Sequence, residues 1–207
     1  MTDVVLVRHG ETVWHGENRY AGVSDIELTP RGHDQAAQLA EWAGQAGLSA
    51  VWASTLSRAR ITAAAGAAKA GVDLQVDARL RELDFGEGEG LTSAEMAARF
   101  PEARAAFEAD PAGHPLPGGE DPHRAADRFV AALHDIAAGH PGGRVLVVAH
   151  TTAIRLALCR IIGVPLGEYR RLFPRLGNCA LTELRLPELG SGRIAMLQYN
   201  SPIGAVR

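Results

Sequence analysis

The sequence predicts an α/β fold: a three-layer α/β/α sandwich around a mostly parallel central sheet, with a small cap formed by insertions. Three observations predict it. Short apolar or β-branched runs alternate with longer stretches of helical periodicity. Two of the runs, 4–7 and 145–149, are continuously apolar, the pattern of strands buried on both faces. The length, 207 residues, suits one sizeable domain. The whole chain, 1–207, is therefore read as a single domain with 91–124 as its cap or lid segment.

In chain order, 4–7 is the first strand. Residues 30–46 carry apolar side chains at helical spacing, with Thr29 as N-cap and Pro30 in the first turn. A short strand at 50–53 precedes a helix at 57–70, and 74–76 is a third strand. Helices are expected at 93–100 and 121–138. The loop between them, 110–122, is rich in Pro and Gly. The strand at 145–149 runs into a helix at 153–162, closed by Gly163. Runs at 180–186 and 194–199 read as strands flanking a Gly/Ser turn.

Composition excludes several functions. A net charge of −3 gives no basic footprint for nucleic acid or an anionic membrane surface. Of 21 basic residues one is lysine, Lys69, and the rest are arginine. Lys69 lies in GAAKAG, so there is no GK[ST] phosphate loop, and Schiff-base chemistry would have to rest on a lysine in an Ala-rich helix. Cys159 and Cys179 form no CxxC and no disulfide framework, and free thiols suit a cytoplasmic protein. The first residues lack the basic start and long apolar run of a signal peptide, and no stretch approaches the roughly 18 apolar residues of a membrane span.

The chemistry gathers at strand ends. The first strand runs into Arg8-His9-Gly10-Glu11-Thr12, and the 145–149 strand into His150-Thr151-Thr152. In open parallel sheets ligands bind beyond the carboxyl ends of strands, so both histidines stand at the functional edge. Arg58, in the first turn of the helix after the second strand, lies near that edge and adds a cation where the helix N-terminus already favours anions. A fourth segment, 80–90, places Glu82 and other carboxylates in a glycine-rich loop. Its glycines lack GxGxxG spacing and are no dinucleotide fingerprint.

LVRHGET, SxLxRAxxTA, LRELDFGEGEG and VVAHT, in that order, resemble the histidine phosphatase superfamily, the phosphoglycerate-mutase-like fold, over nearly the whole chain. The resemblance implies that Arg8, His9, Arg58 and His150 form a phosphate pocket, with the Thr151 backbone as a further donor. His9 would attack phosphorus and become a phosphohistidine, its other ring nitrogen donating to a backbone carbonyl. Glu82 would protonate the leaving alkoxide and then deprotonate water, which requires a raised pKa. A dianionic phosphate would draw His150 toward its cationic form. A phosphate monoester carries about two negative charges, and the planar fork of arginine suits it. The charge is supplied without metal or cofactor, and the remaining histidines show no metal-ligand spacing.

The chain departs from the family pattern in three places. His15 replaces an asparagine, Gly88 replaces a tryptophan and is expected to enlarge one pocket wall, and Thr151-Thr152 replaces a glycine. The resemblance implies a phosphomonoesterase acting on a small phosphorylated metabolite. The alternatives are a 2,3-bisphosphoglycerate-dependent phosphoglycerate mutase and an idle binding protein on the same fold. Mutases of this family carry a longer basic insertion, whereas 91–118 is short and holds only Arg99, Arg104 and His114 as basic groups. Candidate substrate contacts are His15, Arg19 and Tyr20 on one rim and Glu120 and Arg124 over the mouth. The two late strands offer an edge for a homodimer.

Overall fold

The computed structural model describes residues 1–187 and 193–204. A six-stranded sheet is built from β1 (Thr2–Arg8), β2 (Ala50–Ala53), β3 (Leu74–Val76), β4 (Arg144–Ala149), β5 (Leu181–Leu186) and β6 (Ala195–Ser201). Their spatial order is β3-β2-β4-β1-β5-β6. The pairs β2–β3, β2–β4 and β1–β4 are parallel; β5 is antiparallel to both β1 and β6, so it alone runs against the others. The expected Gly/Ser turn between β5 and β6 falls largely on 188–192, outside the described residues.

Helices cover both faces. Alternation along β1 sends Val5 and Val7 into one core and Val4 and Leu6 into the other. The first core is closed by α1 (Pro30–Ala43) and α2 (Ser57–Ala70), through Leu39, Ala59, Ala63 and Ala67. The second is closed by α5 (Pro122–Gly139) and α6 (Thr151–Ile162), through Phe129, Leu133, Ile154 and Leu158. Thr29 caps α1 by accepting from the Gly32 N–H, with Pro30 in the first turn as the sequence predicts.

The cap segment differs from expectation. Beside α3 (Ser93–Arg99) it contains α4 (Pro101–Ala109), a helix not among those expected from the sequence. Pro101 occupies its first turn, where a missing N–H costs nothing. The segment is packed down: Met96, Phe107, Ala112 and Leu116 all join the second core. A further short helix, α7 (Tyr169–Leu172), follows α6 and was not foreseen.

Candidate active site

Three adjacent strand ends deliver the site. Arg8 ends β1 and pairs in register with Ala149, the last residue of β4. The His9 N–H then donates to Ala149 O (3.1 Å), and the Ser54 N–H, just past β2, to Val148 O (3.1 Å). The 8–9 backbone is tied from the other side: Asn178 Nδ2 donates to His9 O (2.7 Å) and the Cys179 N–H to Arg8 O (2.8 Å). Gly10 is needed for close approach, because a Cβ there would lie 2.5 Å from Gly32 O at the start of α1.

His9 and His150 are buried side by side, ring centroids 5.1 Å apart. His9 Nδ1 meets Gly10 O at 2.7 Å and must be the protonated nitrogen. Nε2 therefore carries the lone pair, and Arg58 Nε–H donates to it at 3.2 Å. Burial and the Arg58 and Arg8 cations hold the His9 pKa well below the ordinary imidazole value, so the ring is neutral. His150 is shifted the same way, by burial first and Arg58 next. Its Nε2 lies 2.6 Å from Ser54 Oγ, which also accepts the Leu56 N–H. His150 Nδ1 is a buried atom without a partner among the described residues.

The two arginines are fixed differently. Arg58 is fully buried, and its guanidinium donates to Ser24 O (2.6 Å), Gly22 O (2.7 Å) and Ala21 O (3.4 Å). Among the described residues no carboxylate forms an ion pair with it, although Glu82, Asp25 and Glu89 act on its charge from farther off. Arg8 donates to Leu176 O (3.0 Å) and to His15 Nε2 (2.5 Å), and its buried Nε has no partner. Burial lowers its pKa to about 10, so it stays charged at neutral pH. His15 is neutral, its pKa held at about 4 by burial and by Arg8, and its other nitrogen faces Thr12 Oγ1 at 2.8 Å.

Glu82 is buried against the first turn of α6. Its carboxylate accepts from the N–H groups of Thr152 (2.9 Å), Ala153 (2.7 Å) and Leu83 (2.8 Å). Burial raises its pKa and the three amides oppose that; burial wins. The Thr151 amide is not taken by Glu82. The loop that carries Glu82 is clamped by Arg128 of α5, which donates to the carbonyls of Arg79 (2.6 Å), Arg81 (2.9 Å) and Glu82 (3.0 Å) and pairs with Glu120 (2.7 Å).

A cleft of about 410 Å³ opens here, and the fully buried Arg58 and His150 are not part of its lining. Arg8, His9, Glu82 and Thr151 line it, as do the expected rim residues His15, Arg19 and Tyr20. Among the described residues Glu82 is its one carboxylate. Glu120 and Arg124 do not line it. The Arg128 ion pair holds Glu120 on the acid loop, and Arg124 is exposed on the outer side of α5, whose start Asp121 caps. Gly88 opens no pocket wall either: a Cβ there would meet Leu116 Cδ1 at 2.5 Å, so the cap core already fills the space.

Several contributors escaped the sequence reading: Ser54, Arg128, Asn178, Arg155, Tyr169 and Arg170. Arg155 had a signal, because it stands four residues after Thr151 on the same face of α6. Arg170 had none, since α7 was unread. The two change the charge argument about the cap. Arg99 pairs with Glu87, and Arg104 is buried under Tyr20, yet α6 and α7 supply cleft cations from outside the cap. Among the described residues no group of three or more His, Cys, Asp or Glu could hold a metal, and no helix is long and apolar enough to cross a membrane.

The family model for the histidine phosphatase superfamily (branch 1) matches residues 4–200. A curated relative, a probable phosphoglycerate mutase GpmB from Salmonella paratyphi B, is 37% identical over 193 residues, covering 91% of this chain and 86% of its own. The structure of a mycobacterial glucosyl-3-phosphoglycerate phosphatase in complex with VO3 superposes with a TM-score of 0.87 at 30% identity, covering 97% of this chain and 99% of that one. YhfR from Bacillus stearothermophilus superposes with a TM-score of 0.90 at 27% identity, covering 98% of each chain.

Proposed function

The chain belongs to the histidine phosphatase superfamily, and on that premise we propose that it is a phosphomonoesterase that hydrolyses a small phosphorylated metabolite through a phosphohistidine on His9. The observation that carries this reading is the tautomer of His9. Gly10 O takes the Nδ1 proton, so the Nε2 lone pair is available, and the Arg58 Nε–H that meets it marks where an anion is to be received.

In the first step Nε2 attacks phosphorus and the ester P–O bond breaks. The developing charge falls among Arg8, Arg58, His150 and the Thr151 amide, all set before substrate arrives. Glu82, whose pKa burial raises, gives a proton to the leaving alkoxide. In the second step the Glu82 carboxylate takes a proton from water, the water oxygen bonds to phosphorus, and the P–Nε2 bond breaks. Phosphate and the starting protonation state of Glu82 result. The chemistry runs on arginines and histidines without metal. Both cysteines are free thiols, which suits action in the cytoplasm.

Hydrolysis of p-nitrophenyl phosphate in the presence of chelator, abolished by His9→Ala, with an acid-labile phosphoenzyme trapped in the wild type, is the expected result. A second reading, phosphoglycerate mutase, is favoured by the likeness to GpmB and by the extra cleft arginines. Bisphosphate-primed interconversion of 2- and 3-phosphoglycerate with negligible hydrolysis would establish it instead. Absence of both turnover and phosphoenzyme would leave an idle binding protein.

A further inference from the structure

We propose that the physiological substrate carries a second anionic group, a carboxylate or another phosphate, which seats against Arg155, Arg170, Tyr20 and Tyr169. The proposal rests on the phosphomonoesterase reading and names the substrate class for it.

The charge distribution of the cleft points there. A phosphoryl dianion is matched by Arg8 and Arg58. Arg19, on the rim, is already paired with Glu17 and Glu95. Arg155 and Arg170 also line the cleft, and among the described residues neither has a carboxylate partner. Among the described residues the buried Nε of Arg155 is unpartnered, and its guanidinium lies 5.1 Å from the Tyr169 ring centre. Arg170 stacks on Phe107 at 4.6 Å and donates to Tyr169 OH (3.0 Å) and Tyr20 OH (3.3 Å). Two half-buried cations without counter-ions are costly unless an anion arrives.

The tyrosines are set as donors. Tyr20 OH accepts from Arg170 and from Arg104 (2.9 Å), which occupies both lone pairs and leaves its proton to be given away. Tyr169 OH accepts from Arg170 and likewise keeps its proton. Two arginine forks and two hydroxyl donors on one wall form an anion seat. Arg155 stands one helical turn, ~6 Å, beyond Thr151 at the phosphoryl end of the cleft. That spacing fits a substrate whose two anionic groups are joined by a short carbon chain.

The test compares esters that differ only in the second charge: phosphoserine with phosphoethanolamine and 3-phosphoglycerate with glycerol 3-phosphate for a carboxylate, and fructose 1,6-bisphosphate with fructose 6-phosphate for a second phosphate. In the wild type at least one pair is expected to favour the doubly anionic member by about tenfold or more in kcat/KM, and the favoured pair tells carboxylate from phosphate. Arg155→Gln and Arg170→Gln should each collapse that ratio, with Arg155→Lys retaining part of it. Hydrolysis in which no pair shows the preference, or in which both Gln variants keep the wild-type ratio, overturns the subsite and leaves the phosphatase reading standing. If nothing is hydrolysed, calorimetric binding of the same pairs decides: tighter binding of the doubly anionic member upholds the subsite while the phosphatase reading falls, and equal binding removes both.

Discussion

Arg58 donates its Nε–H to the Nε2 lone pair of His9 while its other nitrogens are held by three carbonyls from residues 21–24. One guanidinium therefore fixes the loop above it and faces the nucleophile at once. Lysine keeps the charge but offers no rigid fork.

Arg58→Lys is accordingly expected to lower kcat/KM for p-nitrophenyl phosphate by about 10²-fold or more, and Arg8→Lys by a comparable amount. Steady-state kinetics on folded variants, checked by circular dichroism, measure this. Activity within threefold of wild type in either variant would mean that charge alone suffices.

Ser54→Ala removes the hydroxyl that meets His150 Nε2 at 2.6 Å. The imidazole then loses the contact that fixes its orientation. We expect kcat to fall about tenfold, with inorganic phosphate binding weakened in parallel, because orienting partners of a reacting histidine carry effects of that order. Calorimetric titration with phosphate separates this from simple loss of fold.

Arg128→Gln releases three carbonyls of the acid loop and the Glu120 pair. Glu82 then loses its exact placement, so only leaving groups that need a proton should suffer. Glycerol phosphate hydrolysis is expected to drop about tenfold or more, and p-nitrophenyl phosphate hydrolysis much less, since p-nitrophenolate departs unaided. Equal losses on both substrates would refute a positioning role through Glu82.

These residues also show what the sequence made legible. Arg8, His9, Arg58, Glu82 and His150 stand in ordered motifs beside strand ends, and periodicity located all six strands. Ser54 lay inside a recognised motif, but its meeting with His150 depends on β2 and β4 being neighbours, which periodicity does not encode. Arg128 and Glu120 are one α-helical face and one loop apart, and only the packed structure shows that they jointly hold a third segment.

Three buried imidazoles, those of His9, His15 and His150, are neutral in the folded protein. Unfolded, each takes a proton near pH 6.5. Below that value the unfolded state binds more protons than the folded one, so stability is full above about pH 6.5 and falls as pH drops. For His15 the loss continues to about pH 4. Glu82 acts in the opposite sense, because its raised pKa lets the folded state bind a proton first, but it is one group against three. Urea unfolding should show a near-level profile above pH 7 and, between pH 6 and 5, a decline of at least about 1.4 kcal/mol per pH unit; a flat profile throughout would contradict neutral burial.

The insertion of β4 between β1 and β2 has a consequence for how the protein comes into being. His9, Ser54, Arg58 and Glu82 are all synthesised before the strand that sets their spacing exists. A nascent chain that has passed residue 100 holds most of the catalytic side chains and none of the site. Phosphate affinity therefore reports completion of the central sheet, and a bound oxyanion should select the finished chain over every shorter stage of its own synthesis.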